Sequence, residues 1–276
     1  MKYQPYFVDY HTHNERCGHA VGTIEQYIIH AIQEGFQEIG ISDHFPLFHI
    51  PEERKLPQIT MEKHQLHGYV EEVLQLQAAY KEQIHVKLGI EADYVLGWEE
   101  YLERELAQYP FDYVLGSVHF IGEWDHSDSR QVNQWQGRDI EQTYRDYYAL
   151  IEQAAQSKLF DSLAHLDVIK RYNFLPDTDM TEIIFKALQA IKDADVCVEV
   201  NTSGEFMPVK EIFPSNEILQ SCRRLEIPLT VGSDSHDPNR VGTNIKRIYG
   251  ELLEMGFQEI HGFAQRRRYA ISLSGK

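Results

Sequence analysis

Cysteine is scarce in this chain, with Cys17, Cys197 and Cys222 the only three and no Cys-x-x-Cys pair among them. An odd, scattered set argues against a disulfide framework or a cysteine zinc site and fits reduced thiols. Cys17 lies near other potential ligands, although a small buried thiol is the commoner role for such a residue. No apolar run approaches the roughly 18 residues of a membrane-spanning helix. The opening MKYQPYFVDYHTH lacks the apolar stretch and small-residue cleavage site of a secretory signal. A cytoplasmic protein with no membrane partner is expected. Basic runs are absent beyond Arg266-Arg267-Arg268, and the formal charge is −17. Such a surface repels a phosphate backbone, so no nucleic-acid partner is expected. A small phosphate remains possible where bound metal makes the site locally positive. Internal repeats, low-complexity tracts and Gly/Pro/Ser linkers are also missing. With 276 residues, close to the roughly 250 of an α/β barrel, one domain over residues 1–276 is the expectation.

Short β-rich apolar runs are present at 6–13, 38–44, 85–94, 113–119, 161–167, 196–202 and 228–234. Runs with apolar residues three or four apart separate them, at 23–34, 61–82, 99–108, 140–156, 181–193, 215–225 and 243–255. Strand-then-helix alternation predicts parallel βαβ units, and seven of them suggest a distorted or open barrel; a doubly wound sheet is the alternative. Thr181 and Ser215 are placed to cap helices. Two connections, 45–60 and 120–139, are long, and both follow strands, where a barrel keeps its active face.

Most predicted strands end on metal-type ligands. These are His11 and His13 with His19 beyond them, then His44, Glu91, His119, His165, Asp234 and His236. Alternate strand residues share a face, so His11 and His13 point together, as do Asp234 and His236 if the strand persists. Imidazoles with carboxylates suit Zn²⁺, Fe²⁺ or Mn²⁺. Each histidine alone reads as a hydrogen-bonded rim residue; it is their coincidence at parallel strand ends that predicts a metal centre. His49 and His126, in the long loops, are weaker candidates.

The ordered set from Asp9-Tyr10-His11-Thr12-His13 to Gly232-Ser233-Asp234-Ser235-His236 resembles the polymerase and histidinol phosphatase (PHP) superfamily. The segments running from His11 to Ala20, Ile41 to His44, Gly116 to Phe120, His165 to Arg171 and Glu199 to Gly204 are similar to its histidinol-phosphatase branch. The resemblance implies an α/β fold, a distorted (β/α)7 TIM-like barrel with its metal site at the C-terminal strand ends. It implies two or three divalent ions: one held by His11, His13, Glu91 and Asp234, a second by His19, His44 and His236, and a third by His119 and His165 with Glu91 bridging. Glu91, Asp234 and His236 would serve catalysis. The implied reaction is hydrolysis of L-histidinol phosphate, or of another small phosphomonoester; an oligonucleotide hydrolase and a non-catalytic metal module are more distant rivals.

For such chemistry Arg171, Arg240 and Arg16 are the candidate phosphate clamps, since guanidinium grips phosphate with paired hydrogen bonds. Asp43 and Asp167 are expected to orient imidazoles. Phe120, Trp124 and Trp135 are candidates for lining the organic half of the pocket, and Glu199 for meeting a cationic amine. No pattern reports an oligomeric state.

Overall fold

The computed structural model describes residues 5–275. Its strands are β1 (Val8–Asp9), β2 (Glu38–Ile41), β3 (His85–Leu88), β4 (Glu91–Asp93), β5 (Leu115–Ser117), β6 (Phe120–Ile121), β7 (Trp124–Asp125), β8 (Ser162–Leu163), β9 (Cys197–Asn201), β10 (Leu229–Gly232), β11 (Glu259–Ala264) and β12 (Arg267–Ser272). Its α-helices are α1 (Ile24–Gln33), α2 (Leu66–Tyr80), α3 (Glu99–Leu106), α4 (Ile140–Ser157), α5 (Thr181–Ala194), α6 (Asn216–Leu225) and α7 (Ile245–Glu254).

Each predicted helical run overlaps one of these helices, α4 and α5 extending one residue past theirs. α1 starts in a capping box of Thr23 and Gln26, α4 on Asp139 and α6 on Ser215, so side-chain oxygens take otherwise orphaned N–H groups. α5 departs from expectation. Thr181 is its first helical residue rather than its cap, and the Asp179 carboxylate accepts the Thr181 N–H.

The strands form two parallel sheets, ordered β1-β2-β3 and β10-β9-β8-β5-β4. They meet where the predicted third strand bends at Gly89-Ile90. Gly89 N–H still donates to Ile41 O at 2.8 Å, and Leu115 N–H to Ile90 O at 2.9 Å. At the other seam Tyr10 N–H donates to Val231 O at 3.0 Å and His13 N–H to Ser235 O at 2.9 Å. Backbone bonds thus link neighbours around the ring β1, β2, β3/β4, β5, β8, β9 and β10, the TIM-like α/β architecture expected. Parallel strands covered by helices are buried on both faces, and β2, β9 and β10 are buried at every position. One apolar cluster runs from Val8 to Leu273.

Two hairpins were not legible. β6 pairs with β7 inside the long 120–139 connection. β11 pairs with β12 and covers the N-terminal ends of the barrel strands. There Phe263 stacks on Tyr113 at 5.6 Å, Arg266 pairs with Asp161 and Arg268 with Asp195. Two of the three arginines in the basic run are therefore engaged by the barrel floor, remote from the strand C-termini. The hairpin's arginine-rich sequence hides a strand, β12, in which Ile271 alone is buried.

Candidate metal centre

The strands stop early so that their last residues can turn inward. β10 ends at Gly232, and Asp234 takes a left-handed backbone with φ 52°. The condition that strand geometry persists through Asp234 and His236 therefore fails, yet both side chains reach the same cavity. His165, just beyond the two-residue β8, is left-handed as well, at φ 28°. Such conformations typically cost about 1–3 kcal/mol each for residues other than glycine and persist where the surroundings over-determine them.

Glu91 stands at the centre, nearly fully buried. Its Oε2 lies 2.8 Å from His44 Nδ1, 3.3 Å from His11 Nε2 and 3.6 Å from His13 Nε2. Its Oε1 lies 2.9 Å from His165 Nε2 and 3.7 Å from His119 Nε2, and accepts from the Ser117 hydroxyl. Asp234 Oδ1 is 3.1 Å from His13 Nε2 and 3.7 Å from His11 Nε2. At the mouth His19 Nε2 and His236 Nε2 face each other at 3.0 Å, and His44 joins them within metal-binding reach.

Coordinating atoms of His11, His13 and Asp234 form a second such group, and those of His11, Glu91 and His165 a third. His119 enters no group of this kind and stands slightly apart. Cys17 Sγ lies within reach of His13 and His236. Its thiol is buried and donates to Asn14 O at 3.2 Å, and burial followed by the Asp43 charge pushes its pKa up, the behaviour of a packed thiol.

The donor set fits divalent cations on two observations. His11 Nε2, His13 Nε2 and Glu91 Oε2 are buried and lie close to one another and to neighbouring donors and acceptors, yet none is aligned for a hydrogen bond among the described residues, although buried polar atoms are nearly always paired. The convergence of imidazole nitrogens on two carboxylates is the ligand chemistry of Zn²⁺ and its neighbours.

The local electrostatics agree. Burial alone would raise the Glu91 carboxyl, but the charges of His44 and His11, with the close approach of the His11 and His165 rings, hold it well below its ordinary value. Burial opposes charge on His13, yet the neighbouring Asp234 and Asp43 carboxylates carry it up to about 9. His119 reaches about 9 against burial through the Asp93 charge.

Several candidates fall elsewhere. Glu199 is fully buried behind His11 rather than in the cavity. Its Oε1 meets His11 Nδ1 at 2.7 Å, while Oε2 accepts from His165 N at 2.9 Å and Asn201 Nδ2 at 3.0 Å. Both oxygens are taken, so it holds the His11 ring and leaves no free oxygen for an amine. Arg16 is held by Glu72 and by Asn14 Oδ1 at 3.3 Å, outside the cavity wall. Asp167 pairs with Lys170 at 3.0 Å and accepts from Ser215 N, and orients no imidazole. Trp124 and Trp135 pack on each other at 5.0 Å inside the loop. His126 donates to Val118 O at 2.8 Å, and burial pushes its pKa down to about 3. His49 packs edge-on against Phe120.

Arg171, Arg240 and Phe120 line the cavity of about 720 Å³. Arg171 Nε has no hydrogen-bond partner among the described residues, and Arg240 stacks over Phe206 at 4.1 Å. Asp43 lies 3.4 Å from His13 Nδ1. Sequence reading missed Asp93, whose Oδ1 holds His119 Nδ1 at 3.0 Å, and Ser203, whose hydroxyl donates to Asp234 at 3.0 Å. Asp93 carried a signal, because it alternates with Glu91 on one strand face.

A TIM-like barrel with converging histidines and carboxylates at its C-terminal strand ends defines a class of metal-site proteins, and comparison names the family. Residues 9–203 match the PHP domain model, so the chain belongs to the PHP family. It is 35% identical over 251 residues to the probable histidinol-phosphatase of Deinococcus radiodurans, covering 90% of this chain and 93% of that one. The histidinol-phosphatase of Bacillus subtilis is 27% identical, with 85% and 95% covered. A crystal structure of histidinol phosphate phosphatase from Lactococcus lactis, complexed with zinc, L-histidinol and phosphate, superposes with a TM-score of 0.81 at 27% identity, covering 96% of this chain and 99% of that one.

Proposed function

We propose that this protein is a phosphoric monoester hydrolase of a single PHP-type domain, converting L-histidinol phosphate to L-histidinol and inorganic phosphate, a step of histidine biosynthesis. One observation carries the reading. Glu91 and Asp234 gather the imidazoles of His11, His13, His44 and His165 about buried, unpaired coordinating atoms, in a chain similar throughout to histidinol-phosphatases.

Two or three Zn, Fe or Mn ions would be held by His11, His13, Glu91 and Asp234, by His19, His44 and His236, and by His119 and His165 with Glu91. Such ions supply a water that ionises near neutral pH and neutralise charge on phosphoryl oxygens. The chain's own part is positional. Glu199, Asp43 and Asp93 fix the rings of His11, His13 and His119 through Nδ1, leaving each Nε2 turned to the cavity. Arg171 and Arg240 are placed to grip the phosphate. The 45–60 and 120–139 loops form one wall, tied by Arg130 donating to Pro57 O at 2.8 Å and by the Arg54–Glu123 pair, and this wall limits water around the ester. A location in the cytoplasm and a small-molecule substrate rather than a polyanion suit the charge of −17.

The test is steady-state kinetics after metal loading, with metal content measured on protein purified without chelator. L-histidinol phosphate should give the highest kcat/KM among itself, a nucleoside monophosphate, a sugar phosphate and phosphoserine. A tenfold advantage for any of the other three refutes the substrate while leaving a metal phosphatase.

A further inference from the structure

Resting on the phosphatase reading above, we infer that Asp125 forms a cation subsite in the wall of the metal cavity, receiving the ammonium of a phosphorylated amino alcohol. Six carboxylates line that cavity: Glu91, Asp93, Asp125, Asp128, Asp234 and Asp237. Five are accounted for. Glu91 and Asp234 face the imidazoles, and Asp93 holds His119. Asp128 grips Arg130 through both oxygens, at 2.7–3.0 Å. Asp237 is half-buried and caps Asn239.

Asp125 differs from all of them. It is only 4% exposed, and no lysine, arginine or histidine among the described residues pairs with it. Its Oδ1 is saturated, accepting from Ser127 N at 2.9 Å, Ser127 Oγ at 2.7 Å and Asp128 N at 3.0 Å. Its Oδ2 accepts nothing from the described residues. Burying a carboxylate without a partner is unfavourable unless it takes a proton or a cation. Burial accordingly raises its pKa, with His119 opposing.

The mount is rigid. Asp125 sits in β7 opposite Phe120 of β6, and the next residue donates its N–H to His119 O at 3.0 Å. Tyr172, the neighbour of Arg171, donates its hydroxyl to Ser127 O at 2.7 Å. The Asp125–Ser127 segment is therefore tied through one hydrogen bond to the loop bearing the candidate phosphate clamp. An ester with ammonium and phosphate at the matching separation engages both ends. One without the ammonium leaves that oxygen facing cavity water alone, and this difference selects among esters that the metals and arginines hold alike.

The test uses the full, metal-loaded chain and two esters differing only at the amine: L-histidinol phosphate and its N-acetyl derivative. The parent should prefer the free amine in kcat/KM, and Asp125→Asn should shrink that preference about 100-fold, chiefly through KM, since losing one member of a buried charge pair commonly has effects of this order. Asn keeps Oδ1 for the three loop donors. Inhibition of the parent by L-histidinol, compared with N-acetyl-histidinol, reads the same subsite without a mutation and should favour the free amine. Equal losses on both esters, falling in kcat, overturn the subsite and make Asp125 a proton donor or loop support. A parent active on both esters with no preference overturns the subsite alone. A parent turning over neither refutes the histidinol-phosphate reading and the subsite with it.

Discussion

Glu199→Gln separates a residue that meets substrate from one that sets an imidazole. The carboxylate spans two different demands. Oε1 receives the His11 Nδ1 proton at 2.7 Å, and Oε2 receives two donors, His165 N–H at 2.9 Å and Asn201 Nδ2 at 3.0 Å. Glutamine cannot satisfy both sides. With its oxygen toward His11, the new NH₂ confronts two donors, and two orphaned buried groups cost about 1–3 kcal/mol each. With its oxygen toward those donors, the NH₂ faces His11 Nδ1, which must then become an acceptor. The second arrangement keeps every hydrogen bond and should prevail. It moves the imidazole proton onto Nε2, the atom 3.3 Å from Glu91 and 3.7 Å from Asp234, and so blocks the coordinating nitrogen.

The expected result is a loss of about 10–100-fold in metal affinity, the usual effect of removing an orienting partner. Loss of stability should be small, because the hydrogen-bond count is retained. Chelator competition measures the affinity, and a thermal melt of the metal-free chain measures the stability. The amine-bearing and N-acetylated esters should lose activity together at limiting metal. Unchanged metal affinity, with a KM rise confined to the amine-bearing ester, would refute this reasoning and return Glu199 to the substrate.

Glu91→Gln removes the charge around which five imidazoles gather, and loss of one partner from a buried charge set costs about 3–5 kcal/mol, so bound metal and turnover should fall at least about 100-fold while the circular dichroism spectrum persists. Metal analysis and kinetics check this, and parental values for both would contradict a central role. Arg171→Ala should weaken inhibition by inorganic phosphate about 10–100-fold, the range for a charge-assisted hydrogen bond, with metal content retained; equal inhibition constants exclude the clamp. His13 and His119 in the metal-free chain are both carried up to about 9, against burial, by the neighbouring Asp234 and Asp43 carboxylates and by the Asp93 charge respectively. Both therefore hold protons at pH 7 that a cation must displace. Apparent metal affinity should climb by at least about a decade per pH unit between 6 and 8, with protons released on loading; calorimetry in buffers of differing ionisation enthalpy reads that release, and a flat profile contradicts it.

What could be read from the sequence was what depends on residue type and period. Alternating strand and helix runs imply the ring, and histidines at successive strand ends mark its active face, because parallel strands deliver their C-termini to one side. The partners behind those ligands were harder to find, for a physical reason. A carboxylate beside a metal ligand and a carboxylate at a substrate look identical in sequence, and only burial separates them. Glu199 was expected in the pocket, yet its strand β9 is buried at all five positions, which leaves its charge nowhere to go except onto His11, His165 and Asn201. Arg16 lies between two candidate ligands but turns to Glu72, a residue 56 positions away, in a pairing that no local pattern contains. Asp125 was hidden for the complementary reason. Its role depends on the β6–β7 hairpin, which is only two residues per strand, too short to show a period. Ligand positions are repeated by the architecture and can be read from spacing, whereas the groups that tune them and select a substrate depend on which of two equivalent carboxylates the fold leaves without a partner.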